Sequence, residues 1–378
     1  MKTTIRTVAF ISTMEGAPWG GSEELWTKTA ARLLEAGYTV SANVNPLGRK
    51  SKQFDALRRS GCAITYRSGG NALGTRLLRK LKTIMRRGEP AYEWLDSRAP
   101  DLVVISQGAT FDGLGWMEEC IKRNISYAVI IHAACEAWFL SDDVSARLLQ
   151  AYRSAKKVFF VSQKNLSLAL TQLGATLANT KIIRNTYNVD FDVSLQWPAQ
   201  ADALKLACVA RLDPAAKGQD LLFEVLKSEK WKQRPVYVTL FGEGICRDQL
   251  MRLKQSWQLD KVTFGGFESS VESIWKTHHS LILASRLEGL PLAVVEAMLC
   301  ARPCIVTDVG GSAELIEDNV TGFVAKAPVA ELMDATLERA WQKKDELRAM
   351  GELAAQRIRK IIPRDPAGVF MQELTGLC

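Results

Sequence analysis

The sequence predicts an α/β protein built from two doubly wound, Rossmann-like domains, and three observations carry that prediction. Short apolar runs of strand length alternate with longer segments of helical character along the whole chain, the pattern of parallel sheets whose strands are buried on both faces. Several of these runs end in glycine turns, at Gly20-Gly21, Gly242, Gly265-Gly266 and Gly310-Gly311, which suits backbone that passes close to a ligand. The 378 residues, 47% of them hydrophobic, suffice for two cores of ordinary size.

In the first half, Thr7–Ser12 reads as the opening strand. The Gly20-Gly21 turn follows, then a helix from Ser22 to Ala36 with Ser22 as its cap and Gly37 as its stop. Thr39–Val44, Ser51–Ser60 and Ala63–Tyr66 read as strand, helix and strand. Residues 67–88 hold seven basic side chains and no acid. There Arg76, Arg79, Lys80, Lys82, Arg86 and Arg87 alternate with Leu77, Leu78, Leu81, Ile84 and Met85, a basic amphipathic helix. Such a helix either docks on the sheet with its basic face in water or lies on an anionic membrane surface. Asp101–Ser106 and Tyr127–His132 are further buried strands, separated by Gln107-Gly108 and a helix running to about Arg123. His132 stands at the carboxyl end of its strand, the edge where open α/β sheets bind ligands; the competing reading is a satisfied histidine of the core or rim. Asp142-Asp143 suit the N-terminus of a helix over Val144–Ser154. Val158–Val161 is a strand, Ser162 opens the next helix, and Ile182-Ile183 completes the sheet. Asp190-Phe191-Asp192 falls at a domain junction marked by Trp197-Pro198-Ala199 and reads as linker.

The second half opens with the strand Leu204–Ala210. Arg211 and Lys217 follow it, ahead of a helix over Gln219–Lys227. Two cations so placed suit a diphosphate, arginine as a fork and lysine as a point charge; otherwise they are solvent-facing charge. Val236–Leu240 runs into Phe241-Gly242-Glu243-Gly244, and Lys261–Phe264 into Gly265-Gly266-Phe267. His278-His279 read as structural. The richest stretch is Ser280–Ala325: a strand at Leu281–Ala284, a loop over Ser285–Gly289, a helix with Pro291 in its first turn, a strand at Pro303–Thr307, and Gly310-Gly311. From Leu290 to Ala301 the only charged residue is Glu296. A carboxylate on so apolar a helix needs a partner or a shifted pKa. Helical side chains lean toward the N-terminus, so Glu296 points back at the loop that holds Glu288. The two carboxylates and the amides of residues 289–291 then surround one ligand, the amides suited to phosphate oxygens and the carboxylates to sugar hydroxyls. The competing reading pairs Glu296 with Arg286 or Arg302 in the core. Helices near Pro328–Trp341 and Lys344–Ile361 follow, and Pro363 and Pro366 break the path before a last helix, Ala367–Leu377.

Glu288, seven intervening residues and Glu296, inside SRLEGLPLAVVEAM and the following PCIVTDVGG, resemble the nucleotide-sugar site of the family 4 retaining glycosyltransferases, which have the GT-B fold. The resemblance spans the Ser280–Ala325 stretch, and further pieces recur in order along the chain. It implies two Rossmann-like domains facing a cleft. Residues 1–190 would bind the acceptor and 191–361 the nucleotide sugar, and a C-terminal segment, 362–378, would return to the first domain. It implies that Glu288 contacts the donor sugar, that Glu296 holds the ribose hydroxyls, and that the backbone of Gly289, Leu290 and Pro291 binds the diphosphate. Arg211 and Lys217 take the leaving diphosphate, His132 contacts the donor sugar, and the Gly20-Gly21 turn faces the donor. The loop of Phe267 lies against the base, with the Gly242 turn a further donor-binding candidate. Glu288, Arg211, Lys217 and His132 are therefore the candidate catalytic residues. The chain departs from the family at Asn185–Asp190, where members often show Asn-Gly-Val-Asp, so Asn185 receives no role. The implied reaction moves a sugar, with retention, from a nucleoside-diphosphate sugar to a glycan or lipid-linked acceptor in bacterial surface polysaccharide or glycolipid synthesis. No metal or other cofactor is expected, because two side-chain cations serve the diphosphate. A sugar phosphorylase or epimerase on the same fold, or a non-catalytic basic membrane-binding protein, are the alternatives.

Charge and cysteine usage bear on partners. Residues 1–190 hold 26 Lys+Arg against 16 Asp+Glu, and residues 191–378 hold 23 against 25. The basic first half favours an anionic partner, and peripheral membrane contact through residues 67–88 is one form of it. Nucleic acid is not expected, since no reader motif or base-stacking pattern accompanies the charge. The turn after the first strand lacks Gly-x-Gly-x-x-Gly spacing, which argues against a nicotinamide dehydrogenase. Eight cysteines form no Cys-x-x-Cys pair and mostly sit in apolar runs, as buried free thiols do. With no secretory leader pattern and no apolar run of the roughly 18–20 residues that cross a bilayer, a cytoplasmic location is expected, in reach of the inner membrane face.

Overall fold

The computed structural model describes residues 6–14, 19–67, 92–198 and 203–377; beyond Arg67, the basic amphipathic segment expected at 67–88 lies outside them. The chain divides into two compact units. Residues 1–161, 166–185 and 365–378 form the first, and residues 162–165 and 186–364 the second.

Unit one is a seven-stranded, all-parallel sheet. Its strands are β1 (Thr7–Ser12), β2 (Thr39–Val44), β3 (Ala63–Tyr66), β4 (Leu102–Gln107), β5 (Tyr127–Ile131), β6 (Lys157–Phe160) and β7 (Thr180–Ile182). Their spatial order is β3-β2-β1-β4-β5-β6-β7, so the winding reverses between β1 and β4. Helices α1 (Gly21–Glu35), α2 (Lys52–Arg59), α3 (Glu93–Arg98), α4 (Leu114–Lys122), α5 (Asp142–Ser154) and α6 (Gln163–Leu173) connect the strands. Continuous apolar runs form the central strands because both faces are covered; Val8 through Ile11 and Val103 through Ile105 are buried. One core cluster joins Ile11, Ile105 and Val129 to Trp116, Met117 and Tyr152 from the helices.

Unit two is a six-stranded parallel sheet in the order β10-β9-β8-β11-β12-β13. Its strands are β8 (Leu204–Val209), β9 (Val236–Phe241), β10 (Val262–Gly266), β11 (Ser280–Leu283), β12 (Cys304–Thr307) and β13 (Gly322–Ala325). Here the winding reverses between β8 and β11. The connecting helices are α7 (Pro214–Lys217), α8 (Gln219–Leu226), α9 (Glu229–Gln233), α10 (Arg247–Ser256), α11 (Val271–Trp275), α12 (Leu292–Leu299), α13 (Ser312–Leu315), α14 (Ala330–Gln342) and α15 (Leu347–Ile361). The doubly wound α/β architecture expected from the strand–helix alternation is therefore the one observed.

Several boundaries differ from the sequence expectation. The helix after β1 starts at Gly21 with Gly20 in the cap position, and its cap has no side-chain hydrogen bond; Ser22 is the second helical residue, not the cap. Pro291 sits at the cap of α12 in extended backbone rather than in the first turn. Asp142-Asp143 form the first turn of α5, which starts earlier than expected, behind Ser141. Strand β13 had no separate signal, because Gly322-Phe323-Val324-Ala325 is a short run between turns. Cys62, Cys120, Cys208, Cys300 and Cys304 are buried free thiols, while Cys135 and Cys246 are half-buried.

The C-terminal helix α16 (Pro366–Thr375) belongs to unit one. It packs on α1, where Thr29 Oγ1 donates to the Ala367 carbonyl at 3.3 Å and Arg32 pairs with Asp365 at 3.0 Å. Phe370 is fully buried and meets Phe159 of β6 edge to face, centroids 5.2 Å apart at 85°, the arrangement favoured by ring quadrupoles. Phe370→Ala should cost about 3–5 kcal/mol in urea-induced unfolding of unit one. A change near zero would mean that this helix does not help hold the unit together.

Candidate active site

The acidic loop and the basic turn of unit two lie on neighbouring strands. β8 and β11 pair in parallel, and their carboxyl ends lead into Arg211–Gly218 and Ser285–Leu290 respectively. Lys217 Nζ reaches Glu288 Oε1 at 2.8 Å, with Lys217 largely and Glu288 almost fully buried. Ser285 Oγ donates to the same oxygen at 2.7 Å, and Thr307 Oγ1 holds the Ser285 carbonyl at 2.6 Å. A buried carboxylate of this kind is tolerated because it is paired and hydrogen-bonded.

Two glycines permit the approach. Gly218 has φ +63°, and a Cβ there would lie 1.9 Å from the Ala284 carbonyl oxygen. Gly310 has φ +52°, and a Cβ would lie 2.2 Å from the Glu288 carbonyl oxygen. The next residue ties the loops further, with Gly311 N donating to Gly289 O at 2.6 Å.

Glu296 lies on the buried helix α12 and is 4% exposed. Its Oε1 accepts from the Asn188 backbone N at 2.9 Å and from Asn188 Nδ2 at 3.2 Å. The arginines weighed as its partners are engaged elsewhere: Arg286 forks onto Asp220 at 2.6 and 3.0 Å, and Arg302 donates to the carbonyls of Trp275, His278, Cys300 and Gln196. Asn188 falls where the chain departs from the family's Asn-Gly-Val-Asp, and that position could have been singled out for it. Of the amides expected to face phosphate, Pro291 has none to give; the helical donors of the first turn begin at Leu292 and Ala293.

Arg211 is about half exposed and stands 3.6 Å from Asp213, while its backbone carbonyl accepts from Gln219 Nε2 at 2.6 Å. Gly242 N donates to Gly266 O at 2.7 Å, which joins the two glycine turns at the ends of β9 and β10. Phe267, just past β10, is 73% exposed. His278 and His279 are buried; His279 Nδ1 accepts from Lys205 N at 3.0 Å, and His278 Nε2 lies 3.0 Å from Thr239 Oγ1. They serve the sheet, as expected.

The remaining candidates lie in unit one. Gly20 is extended, and Gly21 opens α1. His132 follows β5, is 6% exposed, and places Nε2 3.2 Å from Ser106 Oγ. Burial lowers its pKa to about 4, against a smaller opposing effect of the Asn185 side chain, so the imidazole is neutral near pH 7. Ser106 is in register with Ser12 on β1. Ser12 Oγ donates to Glu23 Oε1 at 2.8 Å, and Trp26 Nε1 donates to Oε2 at 2.7 Å. Glu23, 1% exposed, is the group the sequence reading missed: on an amphipathic helix its carboxylate resembled ordinary first-turn acid. Burial raises its pKa to about 7, opposed by the hydrogen bonds from Ser12, Trp26 and Ser22 and by the charge of Arg67.

Residues 194–357 match the family described as glycosyl transferases group 1. The matched stretch lies within unit two, so the chain is similar to that family over this unit. Over 144 residues this chain is 31% identical to the alpha-D-kanosaminyltransferase of Streptomyces kanamyceticus, covering 37% of each protein. Over 118 residues it is 28% identical to the poly(ribitol-phosphate) alpha-N-acetylglucosaminyltransferase of Staphylococcus aureus, covering 31% of this chain and 24% of that protein. The chain thus spans roughly a quarter to a third of the length of these two curated relatives. The fold match is wider: the crystal structure of Anabaena HepE in complex with UDP-glucose superposes with a TM-score of 0.75 over 98% of this chain and all of that one, at 16% identity. The chain has the GT-B type of architecture, two parallel-sheet Rossmann-like units.

The pKa of Glu23 gives a pH dependence of stability with a defined sign. Below the ordinary glutamate value of 4.5 both folded and unfolded chains are protonated there. As pH rises from 4.5 to about 7 the unfolded chain releases this proton first, so this contribution is progressively lost, by an amount on the order of 3 kcal/mol. Glu23→Gln should flatten that part of the profile and be the more stable protein at about pH 8, as read by urea unfolding across the range. An unchanged slope in the variant would assign the dependence elsewhere.

Proposed function

We propose that the protein is a retaining, metal-independent glycosyltransferase that moves a sugar from a nucleoside-diphosphate sugar to a glycan or lipid-linked acceptor in polysaccharide or glycolipid synthesis. The observation that carries this reading is the 2.8 Å contact of Lys217 with Glu288 beside the amino end of α12. A cation and an acid brought together at a helix start suit the two halves of such a donor. The diphosphate competes for Lys217 and is met by the helix amides. The sugar hydroxyls compete for Glu288, which keeps its Ser285 hydrogen bond.

In this reading Arg211 supplies the second cation, and the two side chains neutralise the charge that develops as the diphosphate leaves. Glu296, fixed by Asn188, takes the ribose hydroxyls, while Phe267 and the Gly242 turn border the base. On unit one, Gly20, Gly21 and the neutral His132 are the candidates that the family resemblance offers, His132 as a hydrogen-bonding group for a sugar. The relatives named above are described as sugar transferases, and HepE was crystallised with UDP-glucose, which supports this assignment of class. Among the described residues no helix is long and apolar enough to cross a membrane. We place the enzyme in the cytoplasm, and its membrane-linked acceptor would be met at the inner face.

A thermal-shift screen of UDP-, GDP-, ADP- and dTDP-sugars should reveal one preferred base, through stabilisation of the folded state by ligand. No response to any of them would overturn the reading. Glu288→Gln and Lys217→Ala should each lower the rate of nucleoside-diphosphate release by about 100- to 1000-fold in a protein with wild-type circular dichroism. A fully active Glu288→Gln variant would contradict the role given to that carboxylate. Product analysis by NMR decides stereochemistry and separates transfer from phosphorolysis or epimerisation, and activity in excess EDTA tests metal independence.

A further inference from the structure

The Lys217–Glu288 contact cannot by itself keep the two loops in place during the reaction proposed above, because a bound donor competes for both partners. Something indifferent to the ligand must hold the basic turn against the acidic loop. We propose that Arg286 is that device: a positioning residue that locks the Arg211–Gly218 turn to the Glu288 loop through its fork onto Asp220. The inference rests on the functional reading given above.

Arg286 stands two residues before Glu288 and spans the gap with both backbone and side chain. Its amide and that of Leu287 donate to the Ala216 carbonyl at 2.8 and 3.0 Å, next to Lys217. Its guanidinium donates through one nitrogen to Pro214 O at 2.9 Å and to Asp220 Oδ1 at 2.6 Å, and through the other to Asp220 Oδ2 at 3.0 Å. Pro214 opens α7, and Asp220 lies in the first turn of α8. One planar group therefore grips the turn on both sides of Lys217. On the far side of the turn, Gln219 Nε2 holds the Arg211 carbonyl at 2.6 Å. The two cations and the acid are thus joined through a single rigid hub.

Stability does not account for this arrangement. The Arg286 and Asp220 side chains are 35% and 42% exposed, and ion pairs in such settings stabilise a fold little. Geometry does account for it. A bidentate guanidinium fixes orientation as well as distance, and lysine, a point charge without the fork, cannot replace it at such a site. A displaced cation stabilises a leaving diphosphate poorly, since misplacement of about 1 Å suffices to cost about 100-fold in rate.

The test uses full-length protein and hydrolysis of UDP-, GDP-, ADP- and dTDP-glucose, which needs no acceptor, with release of nucleoside diphosphate as the readout. Arg286→Lys should lower kcat by about 10- to 100-fold while the thermal midpoint stays at the wild-type value, and Asp220→Asn should do the same to a smaller degree. In a double-mutant cycle, Arg286→Lys should cause a clearly smaller fractional loss once Lys217→Ala is in place, because the clamp acts in large part through that cation. Should Arg286→Lys fail to fold, Asp220→Asn carries the same cycle. Wild-type kcat in the Arg286 and Asp220 variants, or the same fractional loss on the Lys217→Ala background, would overturn the clamp and leave the functional reading intact. A wild-type protein that hydrolyses none of the four donors and is not stabilised by any nucleotide sugar would overturn that reading and the clamp with it.

Discussion

The structure of unit two depends on an acid and a base that sit on different loops and meet below the surface. Glu288 and Lys217 are 71 residues apart in sequence, and each alone would be a costly buried charge. Their approach requires β8 and β11 to lie side by side, and that adjacency exists because the winding of the sheet reverses between them. At such a point the loops leaving neighbouring strands diverge to opposite faces and open a crevice at the carboxyl edge. The ion pair, the amino end of α12 and the glycine turns all gather at this edge for one topological reason.

The glycines show how tightly the edge is built. Side chains at Gly218 and Gly310 would run into the carbonyls of Ala284 and Glu288, so the positive φ at each position and the absence of a Cβ are required together. Ser285, Thr307 and Arg286 then fasten the same loops by hydrogen bonds. The result is a preorganised arrangement whose polar groups are partnered by one another, which suits the proposed transfer, where charge develops on a ligand.

Unit one repeats the topology with different chemistry. Its winding reverses between β1 and β4, and the side chains at those strand ends, Ser12 and Ser106, lead to a buried carboxyl and a buried imidazole. Burial outweighs the opposing hydrogen bonds at both and, at Glu23, the charge of Arg67, and drives each toward its neutral form. In unit two the acid is held instead by a lysine, and it is the pairing rather than burial that defines the site.

Much of this was legible in the sequence because it follows from local pattern. Apolar runs of strand length separated by helices identify parallel sheets wherever they occur, and the isolated Glu296 on an apolar helix announces itself by contrast with its neighbours. What the sequence could not supply was partnership. Glu296 bonds to Asn188, 108 residues earlier in unit two, rather than to Arg286 or Arg302. Glu23 looked like one more acid at a helix start until the packing of Trp26 and Ser12 enclosed it. The sequence by itself determined the fold class, the two sheets and the residues that carry charge at their carboxyl edges, because those follow from periodicity and from what a strand or helix can bury. Only the tertiary structure decided which charges meet and which are enclosed, because burial and partnership depend on contacts between segments far apart in the chain, and no local pattern records them.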